Sequence, residues 1–398
     1  MKVVFLSNFL NHHQLPFCQE MYGRFKDDFK FVQTEPVNEE RLTMGYKEMA
    51  DQYPFLLCPY KNEEEQHLVE KAVEQADFVI TGSAPESYIE KRLANNQPIF
   101  RFSERFLRHQ VWRYLTPKSI RFMYHRHTKY RKRNVYVLCA SVYTPRDFSV
   151  YGAYKKKTYK WGYFPEFIPY DIVQLMEGKK RKDVVELLWV ARFLKLKHPE
   201  KFLECCRRLK AENIPFKARI IGSGDECGDE MHAFVKDNGL TDCVTFLGNM
   251  SPKAVREQMV RSDIFMFNSD YREGWGAVIN EAMNSGCGVI SSHAPGAPGF
   301  LIKHGWNGLV YNDKDFEDCY CQIKRLATDR DYCVTLGKRA YETIATTWNA
   351  KTATANLIKL MEALKEGIRP DICKGPASIA HVIPQRKVYR KIIKGEID

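Results

Sequence analysis

The chain is 398 residues long, with 44% hydrophobic residues, 28% charged residues and a formal net charge of +12. That length exceeds what one core usually supports and points to two domains of roughly 200 residues, while the composition excludes a disordered or fibrous chain. The positive charge asks for an anionic partner without choosing among nucleic acid, a membrane surface and a phosphorylated substrate.

Residues 2–7 read as a strand, followed by a polar loop from Asn8 to Gln14 and a helical pattern over 15–25. The first apolar stretch is too short for a signal-peptide core, and no apolar run approaches the roughly 18 residues that span a bilayer, so a cytoplasmic location is expected. A helix ending over 70–75 and strands over 77–83, 98–102 and 135–140 continue the alternation. Such alternation argues for a parallel, doubly wound sheet. Ligands bind such sheets beyond the carboxyl ends of the strands, which singles out the loops 7–13, 82–86 and 103–105. The run from Arg121 to Arg133 interleaves aromatic residues with cations. That pattern suits an anionic lipid surface and equally a solvated helix face.

Between 155 and 182 the periodicity fails, and 161–169 reads as an extended crossing segment that marks a domain boundary. A second alternating series follows. Strands are expected over 184–190, 216–221, 244–247, 264–268 and 288–291, with helices over 199–213, 226–238, 252–259 and 277–285 between them. The domains are therefore placed at 1–165 and 166–377. After a helix over 351–365, the C-terminal stretch of about 378–398 is expected to cross back onto the first domain. The twelve cysteines are scattered with no Cys-x-x-Cys pair, which favours reduced thiols over disulfides or a zinc site. No structural metal is expected.

The most informative segment runs from Asn268 to Gly286. A strand ends, a loop carries Glu273, Gly274, Trp275 and Gly276, and a helix opens at Ala277 and carries Glu281. Glycines allow close approach of a ligand, and amides at a helix N-terminus favour phosphate. Two carboxylates eight positions apart are separated by up to about 12 Å, enough to accept hydroxyl hydrogen bonds from two sugar rings with a diphosphate between them. A second strand end, over 187–190, leads to Arg192 and, five residues on, Lys197. Paired cations there would stabilise charge on a departing diphosphate.

These segments resemble the glutamate, seven residues, glutamate signature and the strand–arginine–lysine element of retaining GT-B glycosyltransferases, glycosyltransferase family 4 (glycosyl transferases group 1). The resemblance covers residues 183–315 well and the first half loosely. It implies two doubly wound Rossmann-like domains facing each other across a cleft, 1–165 binding the acceptor and 166–377 the nucleotide-sugar donor. It implies that Glu273 holds the donor sugar, Glu281 the ribose, and Arg192 and Lys197 the diphosphate. Gly222 and the backbone near Gly248 and Met250 would approach the nucleotide, with the base facing Gly248 and Met250. The first loop departs from the family pattern, having Asn8, Asn11, His12 and His13 where a glycine pair is common, so Asn8, His12 and His13 are acceptor-side candidates. Glu104, in a strand-end loop, is the candidate cleft residue for orienting the acceptor hydroxyl or taking its proton.

The implied reaction is metal-independent transfer, with retention, from a UDP- or GDP-sugar to a saccharide or lipid-linked saccharide, as in surface polysaccharide biosynthesis. It needs no cofactor and no nucleic acid, and it would proceed at the cytosolic membrane face, with Arg121 to Arg133 against anionic lipid. Rival readings are a sugar-nucleotide epimerase on the same scaffold and a non-enzymatic polyanion binder. A dinucleotide-dependent oxidoreductase is disfavoured, because no Gly-x-Gly-x-x-Gly follows the first strand.

Overall fold

The computed structural model describes residues 1–39, 48–109 and 111–397. The chain forms two compact units, one of Met1–Glu166 with Asn349–Pro384, the other of Phe167–Trp348 with Gln385–Asp398.

In the first unit the strands are β1 (Val3–Ser7), β2 (Phe29–Gln33), β3 (Leu56–Leu57), β4 (Phe78–Thr81), β5 (Ile99–Ser103), β6 (Val135–Cys139) and β7 (Thr158–Lys160). Every adjacent pair is parallel, in the order β3-β2-β1-β4-β5-β6-β7. β1 and β4 are buried along their whole length, as expected of strands covered on both faces. The order reverses between β1 and β4, so the loops after these two strands border the crevice where such sheets bind ligands. The helix Leu15–Phe25 starts where it does because Asn11 Oδ1 accepts from the amides of His13 and Gln14, at 3.0 and 3.1 Å, with Pro16 in the first turn.

The second unit holds β8 (Val185–Val190), β9 (Phe216–Ile221), β10 (Val244–Gly248), β11 (Ile264–Phe267), β12 (Gly288–Ser292) and β13 (Leu309–Tyr311). They form a parallel sheet ordered β10-β9-β8-β11-β12-β13, which reverses between β8 and β11. Its core includes Leu187, Trp189, Ile220, Ile264, Met266 and Ile290.

The ends of the domains differ from the sequence reading. The helix Ala350–Glu366, placed in the second domain by sequence, packs on Leu15–Phe25 in the first unit. Residues 377–380 then extend the first sheet as an antiparallel edge: Lys160 N donates to Ser378 O and Ala377 N to Lys160 O, both at 2.7 Å, beside a Tyr159–Ile379 bridge. The helix Gln385–Ile393, expected on the first domain, lies on the second unit, where Val388 and Ile392 are buried and Tyr389 Oη donates to Asp318 Oδ2 at 2.6 Å. Within 155–182, where no periodicity is legible, β7 and the helix Ile172–Lys180 flank the segment 161–169, which is extended as expected.

That last helix carries a buried cation. Lys179 Nζ donates to the carbonyls of Ser262, Ser285 and Gly286, at the C-terminal ends of the helices Pro252–Arg261 and Val278–Asn284. Terminal carbonyls lack intrahelical partners and carry the negative end of the dipole. One ammonium therefore ties the ends of both helices to the helix Ile172–Lys180 that carries it. Lys179→Met fits the space but strands the carbonyls, and is expected to lower unfolding free energy by about 2–4 kcal/mol in urea titration; a loss below half of that would assign the capping to solvent.

Candidate functional site

The reversal between β8 and β11 brings together the two loops singled out in the sequence. The loop after β8 holds Arg192 and Lys197; the loop after β11 runs from Asn268 to Ala277. Backbone and side-chain hydrogen bonds join them: Asp270 N donates to Leu196 O at 3.0 Å, and Asn268 Nδ2 to His198 O at 3.2 Å. Across this seam Lys197 Nζ forms an ion pair with Glu273 Oε2, with only 15% and 17% of the two side chains exposed. The ammonium also lies 5.6 Å from the Phe267 ring centroid. Arg192 is exposed, and its guanidinium makes no ion pair among the described residues.

Behind the pair sits a second polar layer that the sequence reading missed. Asp270 accepts from Arg272 N at 2.8 Å and from Arg272 Nη2 at 2.7 Å, and lies 3.4 Å from His198 Nε2. His198 Nδ1 is 2.6 Å from Glu200 Oε1. Donating hydrogen bonds to Asp270 and then to Glu200 lifts the His198 imidazole to about 9, so it is a cation at neutral pH. Against the upward push of its burial, the bonds from His198 and Arg272 hold the Asp270 carboxyl well below the usual carboxylate range. No periodic signal marks this layer, because its members are set by the crossing of two loops.

The glycines of the site are positional. Gly222 has φ +133°, and a Cβ there would lie 1.9 Å from Ala191 O, so the loop after β9 runs directly against the loop after β8. Gly276 has φ +93°, with the Phe267 ring 2.8 Å from where a Cβ would stand. Among the described residues, no hydrogen bond uses the amides of Gly274, Trp275 or Gly276. Trp275 itself is turned inward: it is 1% exposed, donates from Nε1 to Asn280 Oδ1 at 3.0 Å, and packs near Phe300 and Trp348. Its indole belongs to the core, and only its main chain can meet a ligand. Ala277 caps the helix Val278–Asn284, on which Glu281 stands. Packed protein around Glu281 pushes its carboxyl up to about 7, against the downward pull of Arg256. Gly248 ends β10 and Met250 follows it, with Gly248 O accepting from Gly222 N at 2.9 Å. Nearby, Phe193 meets Phe246 edge-on at 6.3 Å, and the His232 ring lies 3.9 Å from Phe246.

In the first unit, the loop after β1 carries Asn8, His12 and His13. The two imidazole centroids are 3.9 Å apart, and burial followed by the neighbouring His12 lowers His13 to about 3. Asn8 O accepts from Glu35 N at 2.9 Å. Glu104, after β5, accepts from Tyr163 Oη at 3.1 Å through Oε1 and from Arg108 Nη2 at 3.2 Å through Oε2. Tyr163, 6.3 Å from His13 between ring centroids, links the two loops and was not singled out in the sequence. The Glu104 loop is held from below by Asp147, whose Oδ2 accepts from the amides of Phe106 and Leu107 at 3.1 and 3.0 Å.

Residues 175–343 match the family model of glycosyl transferases group 1. The GDP-mannose-dependent alpha-(1-6)-phosphatidylinositol monomannoside mannosyltransferase of Mycobacterium tuberculosis is 27% identical over 35% of this chain and 38% of its own. The sulfoquinovosyl transferase SQD2 of Arabidopsis thaliana is 32% identical over 38% of this chain and 29% of its own. The chain thus spans less than half the length of these two curated relatives. The crystal structure of Anabaena Alr3699/HepE in complex with UDP superposes with a TM-score of 0.66 over 91% of this chain and 100% of that one, at 17% identity. At that identity the likeness is one of fold: two doubly wound Rossmann-like units of the GT-B type.

Proposed function

We propose that the protein is a retaining, metal-independent glycosyltransferase that moves a sugar from a UDP- or GDP-sugar to a saccharide or lipid-linked saccharide in surface polysaccharide assembly. The observation that carries this reading is the Lys197–Glu273 pair at the reversal point of the second sheet. A cation and a carboxylate are presented together there, beside glycine amides that no acceptor among the described residues uses. In this reading Glu273 accepts hydrogen bonds from the donor sugar and Glu281 from the ribose. Gly222, Gly248, Met250 and the amides of Gly274 to Ala277 lie along the nucleotide. Arg192 and Lys197 stabilise the charge that grows on the departing diphosphate. Glu104 orients the acceptor hydroxyl, with Asn8, His12 and His13 lining the acceptor side of the first unit. Contact of Arg121 to Arg133 with an anionic membrane at the cytoplasmic face belongs to the same reading; among the described residues no helix is long and apolar enough to cross a membrane.

Thermal-shift titration with UDP, GDP, ADP and CMP, without metal, tests the donor half. A ligand that binds only the folded state stabilises it by about 2.7 kcal/mol at a hundred times its Kd. UDP or GDP is expected to raise Tm by several degrees in the wild type and by much less in Glu281→Ala. No shift with any of the four at millimolar concentration would remove the donor assignment.

A further inference from the structure

The crossover that follows Glu104 carries an unusual surface. Among the described residues, five of the twelve exposed large apolar side chains fall within 112–124: Trp112 at 66%, Phe122 at 56%, Tyr124 at 50%, Ile120 at 48% and Leu115 at 46%. They occupy a short 3-10 turn, Val111–Tyr114, and the helix Pro117–Arg126, whose one buried residue is Met123. A helix this exposed has no protein core to justify its apolar residues. Ile120 and Tyr124, four positions apart, share one face of that helix, and Phe122 stands on another. Isolated exposed hydrophobes are ordinary, whereas a cluster marks a contact surface.

The charge around this group has one sign. From Arg105 to Arg146 the sequence contains no Asp or Glu. Arg126 is committed to Glu86 at 3.1 Å, but Lys118, Arg121, Lys132 and Arg133 form no ion pair among the described residues. The cations also accompany the rings: the Arg113 guanidinium lies 5.4 Å from the Trp112 centroid and that of Arg126 5.7 Å from Phe122. Turn and helix are anchored beneath, by Tyr151 Oη donating to Tyr114 O at 2.8 Å and by Arg101 Nη2 donating to Arg126 O at 3.0 Å. The surface is therefore presented by a fixed scaffold.

We infer that the segment 111–133 is an in-plane membrane anchor, in which Trp112, Leu115, Ile120 and Tyr124 enter the headgroup–acyl boundary of an anionic bilayer while the surrounding Lys and Arg meet its phosphates. This extends the charge-only contact of the functional reading, on which it rests for the membrane face, to a defined insertion surface. Aliphatic Leu115 and Ile120 are what separates a bilayer from a nucleic acid as occupant. Hydrocarbon accepts them, whereas a polynucleotide offers them no stacking partner. Long cationic side chains at the rim can lay their methylenes on the apolar zone with their charge in the headgroups. Glu104 lies on the same crossover, so insertion would hold that loop near a lipid-borne substrate.

Co-sedimentation of the full chain with phosphatidylcholine vesicles containing about 30% phosphatidylglycerol tests the anchor. Binding is expected to be at least about tenfold weaker on pure phosphatidylcholine, and about tenfold weaker for Trp112→Ser/Ile120→Ser on the anionic vesicles. Doxyl-labelled lipid should quench part of the tryptophan emission in the wild type and correspondingly less in Trp112→Phe. If the double variant binds like wild type and 0.5 M salt releases both completely, insertion is refuted and a purely electrostatic contact remains. If the wild type ignores vesicles but binds duplex DNA, both the anchor and the membrane contact fall. Nucleotide-induced Tm shifts in the same variants report the donor site separately, and are expected to match wild type.

Discussion

Lys197→Ala is expected to lower turnover by about 10²–10³-fold while leaving the unfolding midpoint within a few degrees of wild type. In the resting protein Lys197 Nζ is held by Glu273, so each group is already desolvated and aimed into the loop crossing before a ligand arrives. When a glycosyl–phosphate bond breaks, negative charge accumulates on the departing diphosphate. A positioned ammonium stabilises that charge more than it stabilises the ground state, which is what raises kcat. Glu273→Gln keeps the shape but removes the partner charge, and should chiefly impair holding of the donor sugar. Because the two side chains touch, their effects should not add: the double variant should be much closer to the worse single variant than to the product of the two. Steady-state transfer assays on the four forms measure this directly. Full turnover in Lys197→Ala with native stability would sink the assignment of the diphosphate site.

Glu281 leads to the second large effect. Its folded carboxyl is pushed up to about 7 by burial, against about 4.3 for an ordinary glutamate. The fold thus favours the neutral acid. The corresponding stability is fully present below the unfolded value and is lost as pH rises through about 7, a change of up to about 4 kcal/mol in the ligand-free protein. Donor binding should run the other way, since ribose hydroxyls donate to a carboxylate and therefore select the deprotonated form. Affinity for a nucleotide sugar should weaken by up to about tenfold for each pH unit below 7 and level off above it. The diphosphate ester itself does not titrate in this range, so calorimetric Kd values at pH 5.5, 6.5 and 8 isolate the protein's contribution. Glu281→Gln should bind more weakly at pH 8 and lose most of the slope. An unchanged slope in that variant would move the titration to another group.

The strand–helix alternation of both halves was legible in the sequence because periodicities of 2 and 3.6 are local properties of the chain. So was the placement of Arg192 and Lys197 after one strand and of Glu273 after another, since each lies within one loop and its flanking elements. The tertiary structure alone decided what depends on strand order and packing. Lys197 and Glu273 are 76 residues apart and meet because β8 and β11 are neighbours at the reversal of the sheet. Trp275 lies in a ligand-facing loop by sequence, yet its indole finds Asn280 and the rings of Phe300 and Trp348, because burying a large ring outweighs exposing it. The C-terminal segments follow the same rule. The helix Ala350–Glu366 and residues 377–380 complete the first unit, while Gln385–Ile393 buries Val388 and Ile392 on the second. An amphipathic pattern specifies that a face must be covered; only the arrangement of the remaining chain specifies by what.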